Sequence, residues 1–494
     1  MTFYVSSRDH RHRVSAHQAI IAGLAPDQGL YIPDGFRARL DLGRLTGRPY
    51  QDVAAAVCGC FLDGDYSAAE IRAAVEQAYG SAFDDPAIVP LRPAGNGCHL
   101  LELWHGPTSA FKDLALTMLP HLLTMAYAKQ GLDGTVAILT ATSGDTGKAA
   151  LAGFRDVEHT TITVLYPQVG VAPLQKLQMQ TSPGANVDVI AVQGNFDDCQ
   201  RIVKQAFADP DMLRGHPQVV LSSANSINVG RLIPQVAYYV SAYLQLVDQG
   251  AVQPDQPVNF CVPTGNFGDI LAGYLAKLIG LPVGRLICAS NRNNVLTDFI
   301  TTGRYDANRP FHNTISPSMD ILVSSNLERL LALMTDDGGA LVGRLMADLA
   351  AHGRYEVPDG LKARIQDQFS AYWASEEQCR GQIISMFEQH RLLIDPHTAV
   401  ACQALQDYRA QTGDMAPAVV LATASPFKFP DVMLDCLQGQ APDDPFAALD
   451  RLSTLTGRPV PPNLAALAQL PIRFDRTITV EQGLAVLRQR IGGC

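Results

Sequence analysis

Along this chain the spacing of apolar positions changes character near residue 134. From there TVAILTAT, TITVLYP, VDVIAVQG, VVLSSA, VNFCVPTG and RLICASN form short β-branched runs, each followed by a stretch with helical spacing. Strands alternating with helices predict βαβ units and an α/β fold of open, mostly parallel sheets with helices on both faces. Two helical intervals are sharply bounded: 228–250 closes on a glycine, and in 395–413 Asp395 can cap a helix whose first turn starts at Pro396. Beyond residue 300 helices dominate, with one more strand, AVVLATAS (418–425), returning to the sheet. Residues 1–98 lack the alternation and contain the turn-rich GLAPDQGLYIPDG. No internal repeat or low-complexity linker interrupts the chain. The expected division is an N-terminal domain (1–98), a smaller α/β domain (99–230), a larger α/β domain (231–440) and a C-terminal helical segment (441–494). In such folds ligands sit at the carboxyl ends of the strands.

Composition narrows the function. Of 494 residues 47% are hydrophobic and only 17% charged, against roughly 25% charged in typical soluble domains, so a large core can form. A net charge of −10 opposes nucleic acid and anionic lipid, and a small anionic ligand would need a local cluster of donors. No run approaches the roughly eighteen apolar residues of a membrane span, and MTFYVSSRDHRHR carries charge where a signal peptide needs an apolar segment. A soluble cytoplasmic protein is expected. Ten cysteines are too scattered for a disulfide framework. Cys58 and Cys60 in CGC, and His10 and His12 in HxH, lack the spacing and partners of a metal site, so no metal is expected.

Candidate chemistry begins in WHGPTSAFKDLALTMLP (104–120). Counting from Lys112, Ala115, Leu116, Leu119 and Leu123 follow at three, four, seven and eleven positions, which puts the lysine on an apolar helix stripe. Desolvation there disfavours the ammonium and lowers its pKa. A partly neutral lysine can form a Schiff base with a carbonyl, above all that of pyridoxal 5'-phosphate. Taken alone the signal is weak, because most lysines with a few apolar neighbours snorkel to water.

Two strand ends are rich in glycine and small polar residues: ATSGDTGKAALAGF (141–154) after TVAILT, and PTGNFGDILAGYLAKLIG (263–280) after VNFCV. Each presents free amides at a helix N-terminus, where an anion is attracted. The first is not a nucleotide-binding P-loop, since Thr142 stands where the leading glycine is required and Ala149 where a hydroxyl must hold magnesium. The second lacks the GxGxxG spacing of dinucleotide folds. Asp269, just after Gly268, would repel a bound phosphate and is expected to point away from it.

Together these segments resemble the threonine synthases, pyridoxal-phosphate enzymes with the tryptophan-synthase β-subunit fold (PLP fold type II) and a family-specific N-terminal domain. The likeness runs nearly end to end, through YVSSRDHRHRVSAHQAIIAGLAPDQGLYIP (4–33), HGPTSAFKD, ATSGDTGKAA, ANSINVGRLIPQVAYY (224–239), PTGNFGDI and LATASPFKFPD (421–431). It implies that Lys112 carries the cofactor, that the amides of Gly265, Asn266, Phe267 and Gly268 hold its phosphate, that Asp145 lies near the ring hydroxyl, and that Thr423 sits against the ring nitrogen. Thr142, Ser143 and Thr146 would bind the substrate carboxylate. A carboxylate at Asp145 beside a phenolate oxygen is repulsive unless one of them is protonated.

The implied reaction turns O-phospho-L-homoserine and water into L-threonine and phosphate, the last step of threonine biosynthesis, in a monomer or homodimer. Ser226, Asn228 and Arg231 are spaced to face one leaving phosphate, with Lys176 a further candidate; the guanidinium fork suits phosphate. Three positions depart from the family pattern: Asp145, where many relatives have asparagine, Gln28, where glycine is common, and Ser425, where histidine is common. One alternative is a phospho-lyase of the same fold that releases 2-oxobutyrate, ammonia and phosphate. Another is a non-catalytic ligand-binding module, against which Lys112 and both glycine loops argue.

Overall fold

The computed structural model describes residues 2–35, 38–142 and 144–492. Two sheets carry the fold. The smaller is fully parallel, in the order Thr477–Thr479, Val187–Gln193, Thr160–Pro167, Thr135–Ala141, Val219–Ser223. The larger runs Phe369–Trp373, Val283–Ser290, Val258–Pro263, Ala418–Ala422, Cys98–Glu102, Leu91–Pro93, and only its last strand is antiparallel. Every residue of Val258–Pro263 and of Ala418–Ala422 is buried, as expected of parallel strands covered by helices on both faces. All seven apolar runs singled out in the sequence form strands of these sheets.

Four strands carry too little pattern to be foreseen. Cys98–Glu102 lies at the edge of the expected smaller domain but pairs in parallel with Ala418–Ala422 of the larger sheet, with Leu100 opposite Val420. Leu91–Pro93 then closes that edge. Phe369–Trp373 borders the opposite edge, in a region expected to hold only helices besides 418–425. The C-terminal segment, expected to be helical, also sends Thr477–Thr479 back to pair with Val187–Gln193. These strands run three to five residues. Pairing with a long buried neighbour, rather than their own alternation, makes them strands.

The helix expected over 228–250 is interrupted: Val229–Leu232 passes through a tight turn, Ile233–Gln235, into Val236–Asp248. Pro234 in that turn has no N–H to continue the ladder. Helix Pro396–Thr412 is capped by Asp395, which accepts from the amides of His397 and Thr398, and ends at Gly413 with φ of 71°.

The N-terminal unit contains an antiparallel sheet (Val14–Ser15, Phe3–Ser6, Tyr31–Pro33) and helices Ala16–Ala22, Leu42–Leu45, Tyr50–Leu62 and Ala68–Ala78. Its tyrosines reach the segment after Lys112: Tyr79 Oη donates to Leu114 O (2.6 Å) and Tyr66 Oη to Leu122 O (3.2 Å). The fully buried Arg329 ties it to a second segment, donating to Tyr31 O (2.9 Å) and to Ser226 O (3.0 Å). Among the described residues no helix is long and apolar enough to cross a membrane, and the nine cysteines are free thiols.

Candidate active site

Lys112 stands at the mouth of a broken helix. Its backbone is helical (φ −60°, ψ −24°), Asp113–Leu116 makes one turn, and Leu119–Gln130 continues after Met118. Pro120 has no N–H to offer Leu116 O, so the ladder is interrupted there. Ala115, Leu116, Leu119 and Leu123 are all buried, so the apolar stripe is real core. The amine leaves it. Side chains on a helix tilt toward its N-terminus, so a lysine at the first position projects past the helix into the cleft at the strand ends. There Nζ lies 3.7 Å from Asp145 Oδ2 and 4.6 Å from the centre of the Phe111 ring, with 11% of the side chain exposed. Burial pulls its pKa down. The loop before it is fixed by Asp113, which accepts from Thr108 N (2.8 Å) and Thr108 Oγ1 (2.5 Å), and by Phe111 N donating to Thr423 O (2.8 Å).

Strand Thr135–Ala141 delivers the first glycine loop. Thr142 Oγ1 accepts from Gly144 N and Gly147 N, both at 2.9 Å, folding the chain into helix Asp145–Phe154; Gly144 takes φ of 146°, which a side chain would oppose. Ser143 lies outside the described residues. Thr146 is half-buried and lines the cleft. Asp145 receives Lys428 Nζ (2.5 Å) and Gln175 Nε2 (2.6 Å) on Oδ1, while Oδ2 faces Lys112 and Ser318 Oγ (3.5 Å). Burial alone would raise this carboxyl, but the Lys428 and Lys112 ammoniums hold it well below the usual carboxylate range.

The second glycine loop follows Val258–Pro263. A Cβ on Gly265 would come within 2.9 Å of Ser318 O, so only glycine fits there. Phe267 (φ 61°) turns the chain into helix Gly268–Leu278. Asp269 Oδ1 accepts from Tyr238 Oη (2.6 Å) and Tyr239 Oη (3.0 Å), while its Oδ2 has no hydrogen-bond partner among the described residues. Burial raises this carboxyl to about 6, so it is partly neutral near neutral pH. Thr423, at the end of Ala418–Ala422, is buried on the cleft wall. Ser425 lies off the cleft: its Oγ accepts from Phe427 N (3.4 Å) and caps the turn Pro426–Lys428.

In the ANSINVGRL segment the residues divide. Arg231 lines the cleft, buried; one Nη donates to Ala224 O (2.9 Å), and Nε has no partner among the described residues. Burial lowers its pKa only to about 10, so it remains a cation. Ser226 also lines the cleft and accepts from Asn326 Nδ2 (3.1 Å). Asn228 does not. Its Oδ1 caps Gly230 N (2.9 Å) and its Nδ2 donates to Ile20 O (2.9 Å) and Ser223 O (3.1 Å). Lys176 is half-buried on helix Pro173–Gln180 and is not part of the cleft wall; its neighbour Gln175 reaches Asp145 instead.

Three residues of the site escaped the sequence analysis: Gln175, Lys428 and His397. His397 Nδ1 meets Asp395 Oδ2 (2.6 Å), leaving Nε2 to accept from Ser318 N (3.1 Å). Lys428 carried a usable signal, since in ASPFKFPD a lone cation stands between two phenylalanines just past a strand end, as Lys112 stands among leucines.

The donor set suits a phosphorylated aldehyde. It offers a desolvated amine, a helix N-terminus reached through a glycine that admits no side chain, and a buried Arg231 Nε–H left without a partner among the described residues.

Comparison with known proteins agrees. Residues 87–424 match the family model for pyridoxal-phosphate dependent enzymes, 3–79 that for the threonine synthase N terminus, and 398–489 that for the threonine synthase C-terminal region. The threonine synthase of Pseudomonas aeruginosa is 40% identical over 468 residues, covering 94% of this chain and 97% of its own. The crystal structure of PLP-bound threonine synthase from Brucella melitensis matches with a TM-score of 0.86 at 36% identity over 99% of both chains. Threonine synthase from yeast gives 0.86 at 31% identity over 100% of this chain and 99% of its own. Motifs, fold and cleft therefore converge, and the chain belongs to the threonine synthases, a family of pyridoxal-phosphate dependent enzymes.

Proposed function

We propose that this chain converts O-phospho-L-homoserine and water into L-threonine and phosphate, the last step of threonine biosynthesis. One observation carries the proposal: the desolvated Lys112 amine opens into the same cleft as a buried arginine whose Nε is unsatisfied. The first suits a carbonyl, the second a phosphate.

Pyridoxal phosphate, the family's cofactor, supplies an electron sink for charge developing at the substrate's Cα. Lys112 would hold it covalently, the amides of Gly265, Asn266, Phe267 and Gly268 its phosphate, Asp145 its ring hydroxyl and Thr423 its ring nitrogen. A neutral threonine hydroxyl cannot compensate a charged ring nitrogen, so the surrounding hydrogen bonds carry more of that stabilisation. Thr142, Ser143 and Thr146 would bind the substrate carboxylate at the start of helix Asp145–Phe154. Arg231 and Ser226 would face the leaving phosphate, with Asn228 shaping their loop through its capping bonds. Lys176, off the cleft wall, is left out of this assignment.

Once the substrate amine has displaced it, Lys112 is a neutral base within reach of Cα. It would take the Cα proton, give that proton up within the closed site to become a base again, then take the Cβ proton and deliver one to Cγ as phosphate departs. Water would then add at Cβ and Lys112 would return a proton to Cα, leaving its amine free to hold the cofactor again. Enclosure orients these steps and strengthens each charge interaction. We further propose that the enzyme is cytoplasmic and acts on this small-molecule substrate as a monomer or homodimer.

Incubation with O-phosphohomoserine, measuring threonine, 2-oxobutyrate and phosphate together, tests the proposal. Threonine should be the main product and Lys112→Ala should abolish it. Predominant 2-oxobutyrate would make the chain a phospho-lyase, and absent phosphate release would remove both activities.

A further inference from the structure

Asp145 lies between two lysines at unequal distance. Lys428 Nζ is 2.5 Å from Oδ1, and Lys112 Nζ is 3.7 Å from Oδ2. Lys428 shows no exposed side-chain surface, and besides Asp145 it donates to Thr108 O (3.0 Å) in the loop that precedes Lys112. Its place is set by the turn Pro426–Lys428, which Ser425 caps from its N-terminal side. Gln175 Nε2 adds a second donor to Oδ1, so the carboxylate is held from one side by a full charge and an amide.

We propose that Lys428 is a positioning residue that occupies the Asp145 carboxylate, so that Asp145 orients the Lys112 amine without capturing its proton. A buried carboxylate with no nearer cation would form a close ion pair with Lys112 and stabilise its ammonium. That is the form unable to add to a carbonyl or to accept a proton from carbon. With the charge of Asp145 already matched at 2.5 Å, Lys112 is the weaker partner, and burial governs its ionisation. The other charged groups acting on Lys112 are Arg231 and Asp269, and His397 adds to the field at Asp145. The arrangement also answers the repulsion expected between a carboxylate and a cofactor phenolate, because the carboxylate comes with its own counter-ion.

The inference rests on Lys112 being the reactive amine of the proposed function. Its test reads the titration of that amine rather than product, so the two can fail separately. The full-length protein, freed of cofactor, is labelled competitively with acetic anhydride across the neutral to alkaline range, and modification of Lys112 is followed by peptide mass. Lys428→Met should move the Lys112 midpoint upward by about one unit or more, a tenfold loss of free amine at fixed pH. Lys428→Arg should leave it near the wild-type value. In an Asp145→Asn background the further change Lys428→Met should shift it little, because without the carboxylate Lys112 has no close ion pair there to form. An unmoved midpoint in Lys428→Met, or an equal rise in both backgrounds, overturns the proposal. Should Lys428→Met alone fail to fold, Lys428→Arg and the double variant decide: a shift of about one unit from the parent in either overturns it.

Discussion

Gly153 makes opposing predictions compete. It lies in the last turn of helix Asp145–Phe154, where alanine would ordinarily stabilise by about 1 kcal/mol through helix propensity. A Cβ there, however, would sit 1.9 Å from Leu116 O. Carbon and oxygen need roughly 3 Å, so the two backbones must part by about 1 Å, and overpacking of this kind costs about 1–3 kcal/mol. The contact is backbone to backbone, so no side chain can swing away. We therefore expect Gly153→Ala to destabilise by up to about 2 kcal/mol net, measured from urea denaturation midpoints. Leu116 N bonds to Lys112 O (2.9 Å), so the displaced turn takes Lys112, the reactive amine of the proposed function, with it. A misplacement near 1 Å lowers turnover by about a hundredfold. A variant that is more stable than wild type and keeps full turnover would refute the close approach, and with it the claim that this glycine sets the position of Lys112.

Arg231→Ala should lower turnover of O-phosphohomoserine by about 10²–10³-fold, the usual effect of losing a donor to a charged leaving group, while cofactor absorbance persists; loss of cofactor with turnover per bound cofactor intact would reassign the residue. His105 sits between Asp84 Oδ1 (2.5 Å) and Glu102 Oε2 (3.1 Å). Burial disfavours the charged ring, but Glu102 and Asp84 raise its pKa overall. The stabilisation is therefore complete below the unfolded value of about 6.5 and fades as pH rises through the higher folded value. Denaturation midpoints should fall more steeply over that interval in wild type than in His105→Gln, and parallel curves would dismiss the clasp. Gln28 adopts φ of 64°, a left-handed conformation that costs a side chain about 1–2 kcal/mol. Against that stands the extra chain entropy of glycine, so Gln28→Gly should stabilise by about 0.5–1 kcal/mol in thermal unfolding, and a lower midpoint would show the strain to be absent.

The sequence by itself determined the long buried strands, the sharply capped helix 396–412, both glycine loops and a lysine set on an apolar stripe. Each rests on local physics: side-chain period, a capping carboxylate, backbone freedom, or a cation among apolar neighbours. Tertiary structure decided what depends on partners far along the chain. Cys98–Glu102 becomes a strand because Ala418–Ala422 offers it a ladder. Asn228 turns from the cleft because Ile20 O and Ser223 O claim its amide, although its spacing alone would let it face a phosphate. Lys428 meets Asp145 only because the turn after one sheet packs against the helix that leaves the other. Spacing along a helix or strand limits which side chains can share a face. The carboxylate that two lysines share, and the distances that rank them, arise only when two sheets close on one cleft.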